Sequence, residues 1–272
     1  MKQKRYFDMV TEMVDKEERP LDKLAINGGF TRIFRKIGCI GDSLSSGEFQ
    51  IRNKQGGYDY YDMYEYSWGQ HIARMTGSTV YNFSRGGMTA KEYYEVYADK
   101  SGFWNPEKAC QAYIIALGVN DRRLIEIGSM NDIDFEDYHN NKETFAGYYA
   151  AIVQRLKEIQ PRAKFFFVTI PRDDKSKWRE ESEKHHELLK GLAERFENAY
   201  LVDLRTYAPV YTEAFEKMFF LNGHMNPCGY VYTADMIASY IDYIIRHNMK
   251  DFDEIGFIGT SITNQVMIGE GL

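Results

Sequence analysis

Four short polar segments carry the residue types that acyl transfer requires. The first, GCIGDSLSSG at residues 38–47, presents Ser43 in a small, glycine-flanked turn. Further along the chain come NFSRGGMTA with Gly87, LGVNDRR with Asn120 and FLNGHMNPCGY with His224. A serine hydroxyl becomes a nucleophile when a neighbouring imidazole takes its proton, and the oxyanion that forms needs fixed hydrogen-bond donors. The four segments together supply a nucleophile, a base and those donors.

Regular secondary structure has to bring these segments together. Near-continuously apolar, β-rich runs alternate with amphipathic helical patterns, which is typical of a doubly wound parallel sheet buried on both faces. In such sheets ligands bind at the carboxyl ends of the strands. The predicted strands are 35–41, 78–84, 112–118, 164–170 and 199–204, and the predicted helices are 67–77, 142–161, 182–198 and 232–248.

Each polar segment also has a structural interpretation. A serine or asparagine in a turn ordinarily caps a helix or braces the loop, a glycine pair forms a tight turn, and a histidine before a helix can cap it. Each explanation is reasonable alone. Together they require four coincidences at one end of one sheet, so we favour the chemical interpretation.

The four segments resemble, in order and position, the four sequence blocks of the SGNH (GDSL-type) hydrolases: IGDSLSSG, NFSRGGMT, LGVND and NGHMN. The resemblance covers residues 37–248. It implies a flavodoxin-like three-layer α/β/α sandwich with a five-stranded parallel sheet, and a serine hydrolase that acts on esters or thioesters without a cofactor. It further implies that Ser43 is the nucleophile and His224 the general base. The implied oxyanion donors are the backbone N–H groups of Ser43 and Gly87 and the side-chain amide of Asn120.

The pattern departs from that family at one position. The family places an aspartate three residues before the histidine, and here that position is Leu221. One explanation is a Ser-His dyad, in which a backbone carbonyl such as that of Leu221 holds the imidazole. A second is another carboxylate, with Asp203 the nearest candidate, although we expect Asp203 to be a cap or turn brace. A third is a weak enzyme or a binding protein on the same fold. We favour the dyad, because the nucleophile, base and oxyanion positions are all intact.

The segment GGYDYYDMYEYSW at residues 56–68 is rich in tyrosine. It is either a surface loop or a substrate-contacting lip above the nucleophile, because tyrosine offers an apolar face and a polar tip. The candidate contacts are Tyr58, Tyr60, Tyr61 and Tyr64. We therefore expect an esterase for small acyl groups whose alcohol part is a sugar. The alternatives are a weak or inactive carbohydrate-binding protein and a thioesterase or lysophospholipase-type lipid hydrolase.

Composition limits the partners. The 272 residues carry a formal net charge of −6 and a pI near 5.6, which argues against nucleic acid or an anionic membrane and leaves a small-molecule ester as the expected partner. The three widely spaced cysteines and the lack of a cluster of metal ligands predict free thiols and no metal. No secretory signal is evident, which indicates a cytoplasmic protein, or a secreted or periplasmic one if a signal peptide has been removed.

We find no repeat, linker or composition break in the sequence, so we expect one catalytic domain. We place it at residues 31–250, after an N-terminal helical arm at 1–30 and before a C-terminal tail at 251–272.

Overall fold

The computed structural model describes residues 14–253 and residue 255. Five parallel strands form the central sheet, and two antiparallel hairpins lie outside it. In chain order the strands are β1 (Lys36–Gly41), β2 (Glu48–Arg52), β3 (Tyr58–Asp62), β4 (Thr79–Ser84), β5 (Ala112–Ala116), β6 (Lys164–Val168), β7 (Ala199–Val202), β8 (Phe220–Leu221) and β9 (His224–Met225).

Helices connect the strands of the central sheet. The α-helices are α1 (Ser43–Ser46), α2 (Trp68–Thr76), α3 (Ala90–Glu92), α4 (Ala98–Lys100), α5 (Asp121–Leu124), α6 (Phe145–Ile159), α7 (Arg179–Arg195), α8 (Leu204–Tyr207), α9 (Glu213–Phe219) and α10 (Pro227–His247). A π-helical turn, Tyr93–Tyr97, joins α3 to α4. Short 3-10 helices span Ile26–Ile33, Tyr64–Tyr66, Pro106–Lys108, Met130–Asp132, Tyr138–Asn140 and Met249–Phe252.

The helix boundaries follow the capping residues in the sequence. The side chain of Thr144 accepts a hydrogen bond from the N–H of Gly147 at the start of α6, and Asn226 does the same for Gly229 at the start of α10. Pro227 occupies the first turn of α10, where its missing N–H costs nothing. Helix α2 ends at Gly77, whose φ of 71° is the left-handed conformation that glycine adopts readily.

Two apolar layers enclose the sheet, one on each face. On one face Phe83, Phe165 and Phe167 pack with residues of α6 and α7. On the other face Ile114 and Phe166 pack with residues of α2 and α10. Successive strand residues therefore enter opposite layers, as the pleat requires. The three layers and the burial of the strands on both faces confirm the predicted α/β/α sandwich.

The strand order of the main sheet is β4-β1-β5-β6-β7. Counted along the main sheet alone, this is the 2-1-3-4-5 order of flavodoxin-like folds. All five predicted strands are confirmed, with ends within two residues of the predicted ones. The order reverses between β1 and β5, so the loops after these two strands, which carry Ser43 and Asn120, lie beside each other at the switch point.

The tyrosine-rich segment supplies one strand, β3, of a hairpin that the sequence did not indicate. Strands β2 and β3 pair antiparallel, with Glu48 opposite Asp62 and Gln50 opposite Tyr60. Alternate residues point to opposite faces. One face carries Glu48, Gln50 and Tyr60. The other carries Phe49, which is buried against Tyr66 and Tyr230.

Residues 1–13 of the predicted arm and most of the predicted tail lie outside the described residues. Of the arm, residues 14–25 form turns rather than a helix, and the following Ile26–Ile33 segment packs on α10. Backbone N–H groups of Ala25 and Phe30 donate to Ser239 and Asp242 of that helix. The described part of the arm is thus part of the domain surface. The domain boundaries stay a prediction.

Candidate active site

The Ser43 turn begins where β1 ends. Asp42 caps the short helix α1, because its Oδ1 accepts the Leu44 N–H at 3.0 Å. Gly41 is required here, since a Cβ at that position would collide with the Ser45 hydroxyl. Ser43 is the first residue of α1 and is half-buried. The turn is therefore packed tightly below Ser43, as a positioned nucleophile requires.

The glycine loop after β4 is bound to this turn. The backbone N–H of Arg85 donates to the carbonyl of Gly41 at 3.4 Å. Gly87 has a φ of 73°, and a Cβ added to it would meet no atom within 4 Å. Gly86 differs, because a Cβ there would collide with the carboxylate of Glu48. A side chain is thus disfavoured at the two glycines for different reasons. At Gly87 the backbone conformation disfavours it, and at Gly86 it would displace the carboxylate of Glu48.

Asn120 is buried and attached to the same loop. Its Nδ2 donates to the carbonyl of Met88 at 3.1 Å, and Arg123 donates to its Oδ1. The second hydrogen on Nδ2 is the one that an oxyanion would use. The loop before Asn120 rests on His185, whose Nε2 lies 3.0 Å from the Leu117 carbonyl. Burial lowers the pKa of His185 to about 4, so this histidine is neutral.

His224 lies in the small β8–β9 hairpin, opposite Leu221. Its Nε2 is 3.0 Å from Oε1 of Glu48. Its Nδ1 is buried and has no hydrogen-bond partner among the described residues, the Leu221 carbonyl included. Burial lowers the pKa of His224, which favours the neutral, basic form. Strand β9 also packs against α1, so the histidine and serine segments are neighbours.

Glu48 is the acidic residue of the site that the sequence interpretation missed. It is the first residue of β2, directly after the nucleophile helix and its Gly47 cap. Burial raises the pKa of its carboxyl to about 7, and the nearby Asp62 and Asp42 add to this. It lies outside the four sequence blocks, and only the folding of β2 against the histidine loop brings it to His224.

Asp203, the alternative acid considered from the sequence, is engaged elsewhere. Its Oδ1 accepts the Thr206 N–H at 3.0 Å as the cap of α8, and its Oδ2 lies 3.1 Å from Nε2 of His186. The predicted role of cap or turn brace is therefore confirmed. In the described part of the chain, the one group of side chains close enough to hold a metal is Glu183, His186 and Glu187 on α7, and it does not include His224.

The β2–β3 hairpin is attached to the histidine loop through Gln50. The Gln50 carbonyl accepts from Asn222 Nδ2 at 2.8 Å, and its Oε1 accepts the Gly223 N–H at 2.5 Å. Its Nε2 donates to the Tyr60 hydroxyl at 3.2 Å. The Tyr60 ring packs edge-on against His224 with centroids 5.8 Å apart. One glutamine therefore fixes the hairpin, Tyr60 and the histidine loop relative to one another.

The four candidate tyrosines have different positions. Tyr58 and Tyr60 lie on the hairpin face that carries Glu48, and Tyr60 reaches the site. Tyr61 is on the opposite face, and half of its surface is exposed. Tyr64 turns inward, because its hydroxyl donates to the Val80 carbonyl of the central sheet. The substrate-contact prediction for Tyr64 is therefore corrected to a structural role.

Two further carboxyl groups lie beneath the loops. Asp42 and Asp121 are almost completely buried, and Asp121 accepts the Ala90 N–H at 2.7 Å. Burial raises the pKa of Asp42 to about 6 and that of Asp121 to about 7. Both carboxyls hold the backbone of the reacting loops, and Asp121 links the Asn120 loop to α3.

A cavity of about 270 Å³ lies beside the Ser43 turn. It is bordered by Leu44, Val119 and Gly223, the chain neighbours of three proposed site residues, whereas Ser43, Asn120 and His224 themselves do not line it. Its walls are mostly apolar and come from the ends of β5 and β6, from α10 and from the segment around Phe220. Small-molecule pockets span about 300–1,000 Å³, so this cavity suits a small group.

The sequence matches the model of the GDSL-like Lipase/Acylhydrolase family over residues 39–231. This stretch covers more than half of the chain and includes Ser43, Gly87, Asn120 and His224. The chain therefore belongs to this family. It is an esterase of the SGNH type and acts on ester bonds. A search of curated proteins found no match.

Solved structures share the fold. One is a carbohydrate esterase family 2 enzyme with a carbohydrate-binding domain from Corynascus thermopiles (Myceliophthora fergusii), at 18% identity and a TM-score of 0.56 over 78% of this chain and 66% of that one. Another is a family two carbohydrate esterase from Clostridium thermocellum in complex with cellohexaose, at 16% identity and a TM-score of 0.54 over 80% and 65%. This chain thus spans about two thirds of both. Among the described residues, no helix has the length and apolar character that crossing a bilayer would need.

Proposed function

We propose that the chain hydrolyses carboxylic esters of small acyl groups through an acyl-enzyme on Ser43, with His224 as the general base. The observation that supports this most directly is the linkage of the loops that carry these residues. The Gly41 carbonyl holds the glycine loop, Asn120 holds the same loop through Met88, and α1 packs against β9. Four segments far apart in sequence are therefore held next to one another.

The reaction divides into two transfers. In the first, His224 accepts the Ser43 proton while Oγ attacks the ester carbonyl carbon. The backbone N–H groups of Ser43 and Gly87 and the Asn120 amide stabilise the negative oxygen. When the tetrahedral intermediate collapses, the imidazolium gives its proton to the departing alcohol, and an acyl-serine remains. In the second transfer, water attacks the acyl-serine while His224 accepts its proton. The imidazolium then returns that proton to Ser43 Oγ as the acyl–oxygen bond breaks, which releases the carboxylic acid.

The substrate proposal rests on the hairpin and the cavity. Tyr60 is exposed beside His224, which suits a sugar ring stacked above the reacting carbonyl. The cavity of about 270 Å³ beside Leu44 is large enough for a small acyl group. A structure of the same fold was determined in complex with cellohexaose. An acetylated carbohydrate is the substrate that these features favour.

A panel of esters tests the proposal. Initial rates are measured on acetylated sugars, 4-nitrophenyl acetate, long-chain lipid esters and acyl-CoA. Ser43→Ala and His224→Ala should lose nearly all activity on short esters. Ser101→Ala and His139→Ala, changes outside the site, should keep it. A clear preference for long chains or acyl-CoA would refute the small-acyl proposal. Binding of a sugar ester without turnover would favour a binding protein.

A further inference from the structure

We propose that Glu48 is the acid of this site: it accepts a hydrogen bond from His224 and positions that imidazole, so the acid comes from β2 rather than from the histidine loop. The inference rests on the proposed roles of Ser43 and His224. It replaces the dyad with a Ser-His-Glu arrangement in which Leu221 needs no carboxylate.

The contact has the geometry of a charge-assisted hydrogen bond. Oε1 of Glu48 lies 3.0 Å from Nε2 of His224, and the two side chains are 13% and 15% exposed. A hydrogen bond to a carboxylate is stronger than one between neutral groups, and exclusion of water strengthens it further. The pair is thus shielded and close enough to fix the ring.

This contact also determines which nitrogen is the base. In neutral imidazole one nitrogen carries the proton and the other the lone pair. With the Nε2 proton directed at Glu48, the lone pair is on Nδ1. That atom is buried and lacks a hydrogen-bond partner in the part of the chain that the structure describes. Nδ1 therefore carries the lone pair; it makes no hydrogen bond to Ser43 Oγ in this structure, although its strand packs against the Ser43 helix.

Several contacts hold Glu48 in place. The hydroxyl of Tyr230 donates to the Glu48 backbone carbonyl at 2.7 Å. Pairing with β3 fixes the strand. Gly86 allows the carboxylate to approach, because any Cβ at that position would occupy its space. The hairpin is attached to the histidine loop through Gln50. Tyr230, β3 and Gly86 therefore position Glu48, and Gln50 positions the loop that carries His224.

The other acids near the site are engaged. Asp42 accepts from Leu44 N, Asp121 accepts from Ala90 N, and Asp62 accepts from the Ser46 hydroxyl. Among the described residues, the carboxylate in contact with His224 is that of Glu48.

The charges around Glu48 give a pH signature. It faces His224 from β9 and Asp62 from β3. The charge of Asp42 also acts on it, and the Tyr230 hydroxyl donates to its backbone carbonyl. Burial and the two aspartates raise the pKa of Glu48 to about 7. A raised carboxyl pKa means that the carboxylate is present above pH 7 and is lost as the pH falls below it. Activity should therefore decrease below about pH 7, while burial lowers the pKa of His224 and so favours its neutral form.

Glu48→Gln tests the role, because it keeps the shape and removes the charge. We expect kcat on 4-nitrophenyl acetate to fall about 10²- to 10⁴-fold, with KM nearly unchanged. The acidic limb of the kcat profile should move to lower pH, a change that a merely structural role would not produce. Glu48→Asp should recover part of the rate. Gly86→Ala should reproduce the loss by displacing the carboxylate, whereas Glu107→Gln, an exposed control, should match the wild type.

The outcomes separate this inference from the proposed function. If Ser43→Ala abolishes activity but Glu48→Gln keeps both its rate and its pH profile, Glu48 has no such role and the proposed hydrolysis stands. If Ser43→Ala is as active as the wild type, the proposed function is refuted, and the inference about Glu48, which rests on it, is refuted as well. Circular dichroism checks folding. Should Glu48→Gln not fold, Glu48→Asp with an unchanged rate and pH profile would overturn the inference.

Discussion

Replacing Asn120 by alanine removes one of the three proposed oxyanion donors and two structural hydrogen bonds, those with Met88 and Arg123. The side chain is buried, with Nδ2 3.1 Å from the Met88 carbonyl. Two free energies should therefore change. The free energy of unfolding should fall by about 1–3 kcal/mol, because the buried Met88 carbonyl loses its partner. The activation free energy should rise by about 3–4 kcal/mol, because a fixed donor to the developing charge is lost.

The second change predicts a fall in kcat of about 10²- to 10³-fold, with little change in KM. A donor that acts chiefly on the transition state affects turnover rather than substrate binding. The assay is steady-state hydrolysis of 4-nitrophenyl acetate well below the unfolding temperature, together with urea unfolding of the same samples.

Asn82→Ala is the matched control. Asn82 Oδ1 accepts the Ser84 N–H at 2.9 Å, so its loss removes a comparable hydrogen bond from the strand that precedes the glycine loop. We expect a similar loss of stability with kcat within a few-fold of the wild type. If Asn120→Ala also keeps kcat within tenfold, Asn120 only braces its loop and the oxyanion assignment is refuted.

Three further predictions concern the hairpin, the glycine loop and pH stability. Tyr60→Ala should raise KM for an acetylated sugar roughly fivefold, which corresponds to about 1 kcal/mol of lost stacking. Tyr61→Ala, on the other hairpin face, should leave KM unchanged. Equal KM values for the two variants would contradict the sugar subsite. Gly87→Ala should cost about 1–2 kcal/mol in urea unfolding, because its φ of 73° disfavours any Cβ; an unchanged midpoint would contradict this. Burial lowers the pKa of His185 to about 4, so its stabilising contribution, complete above pH 6.5, should decline by about 2–3 kcal/mol on acidification to pH 4.5. His185→Gln should lack that decline, and identical urea profiles across this range would refute the assignment.

The main sheet could be predicted from the sequence because each of its strands is apolar on both faces. The runs around Ile40, Ile114 and Phe166 are nearly continuous, and periodic helical segments separate them. A strand that is buried on both faces needs apolar residues at successive positions, so this sequence pattern predicts the buried sheet. The positions of Ser43, Gly87 and Asn120 followed from the strands that precede them.

The hairpin could not be predicted in the same way, because its pairing depends on distant contacts. Gln50 contacts Asn222 and Gly223, and Tyr60 packs on His224, all far along the chain. Neither hairpin strand is continuously apolar, so the strand pattern of the main sheet does not extend to it. Tyr64 was grouped with the exposed tyrosines because local sequence does not reveal the direction of its side chain.

Glu48 was missed for a related reason. The family pattern places the acid three residues before the histidine, and in this chain that position is Leu221. The carboxylate instead reaches the imidazole from the strand after the nucleophile helix. Only the docking of the hairpin on the histidine loop brings these two residues together.

Covalent labelling of Ser43 tests the central claim most directly. The folded protein is treated with a fluorophosphonate probe, digested and analysed by mass spectrometry. We predict one adduct on the peptide that contains Ser43, formed at least about 100-fold more slowly in His224→Ala and absent in Ser43→Ala. Labelling that is unchanged in Ser43→Ala, or no adduct on Ser43 in folded wild-type protein, would contradict the assignment of Ser43 as the nucleophile.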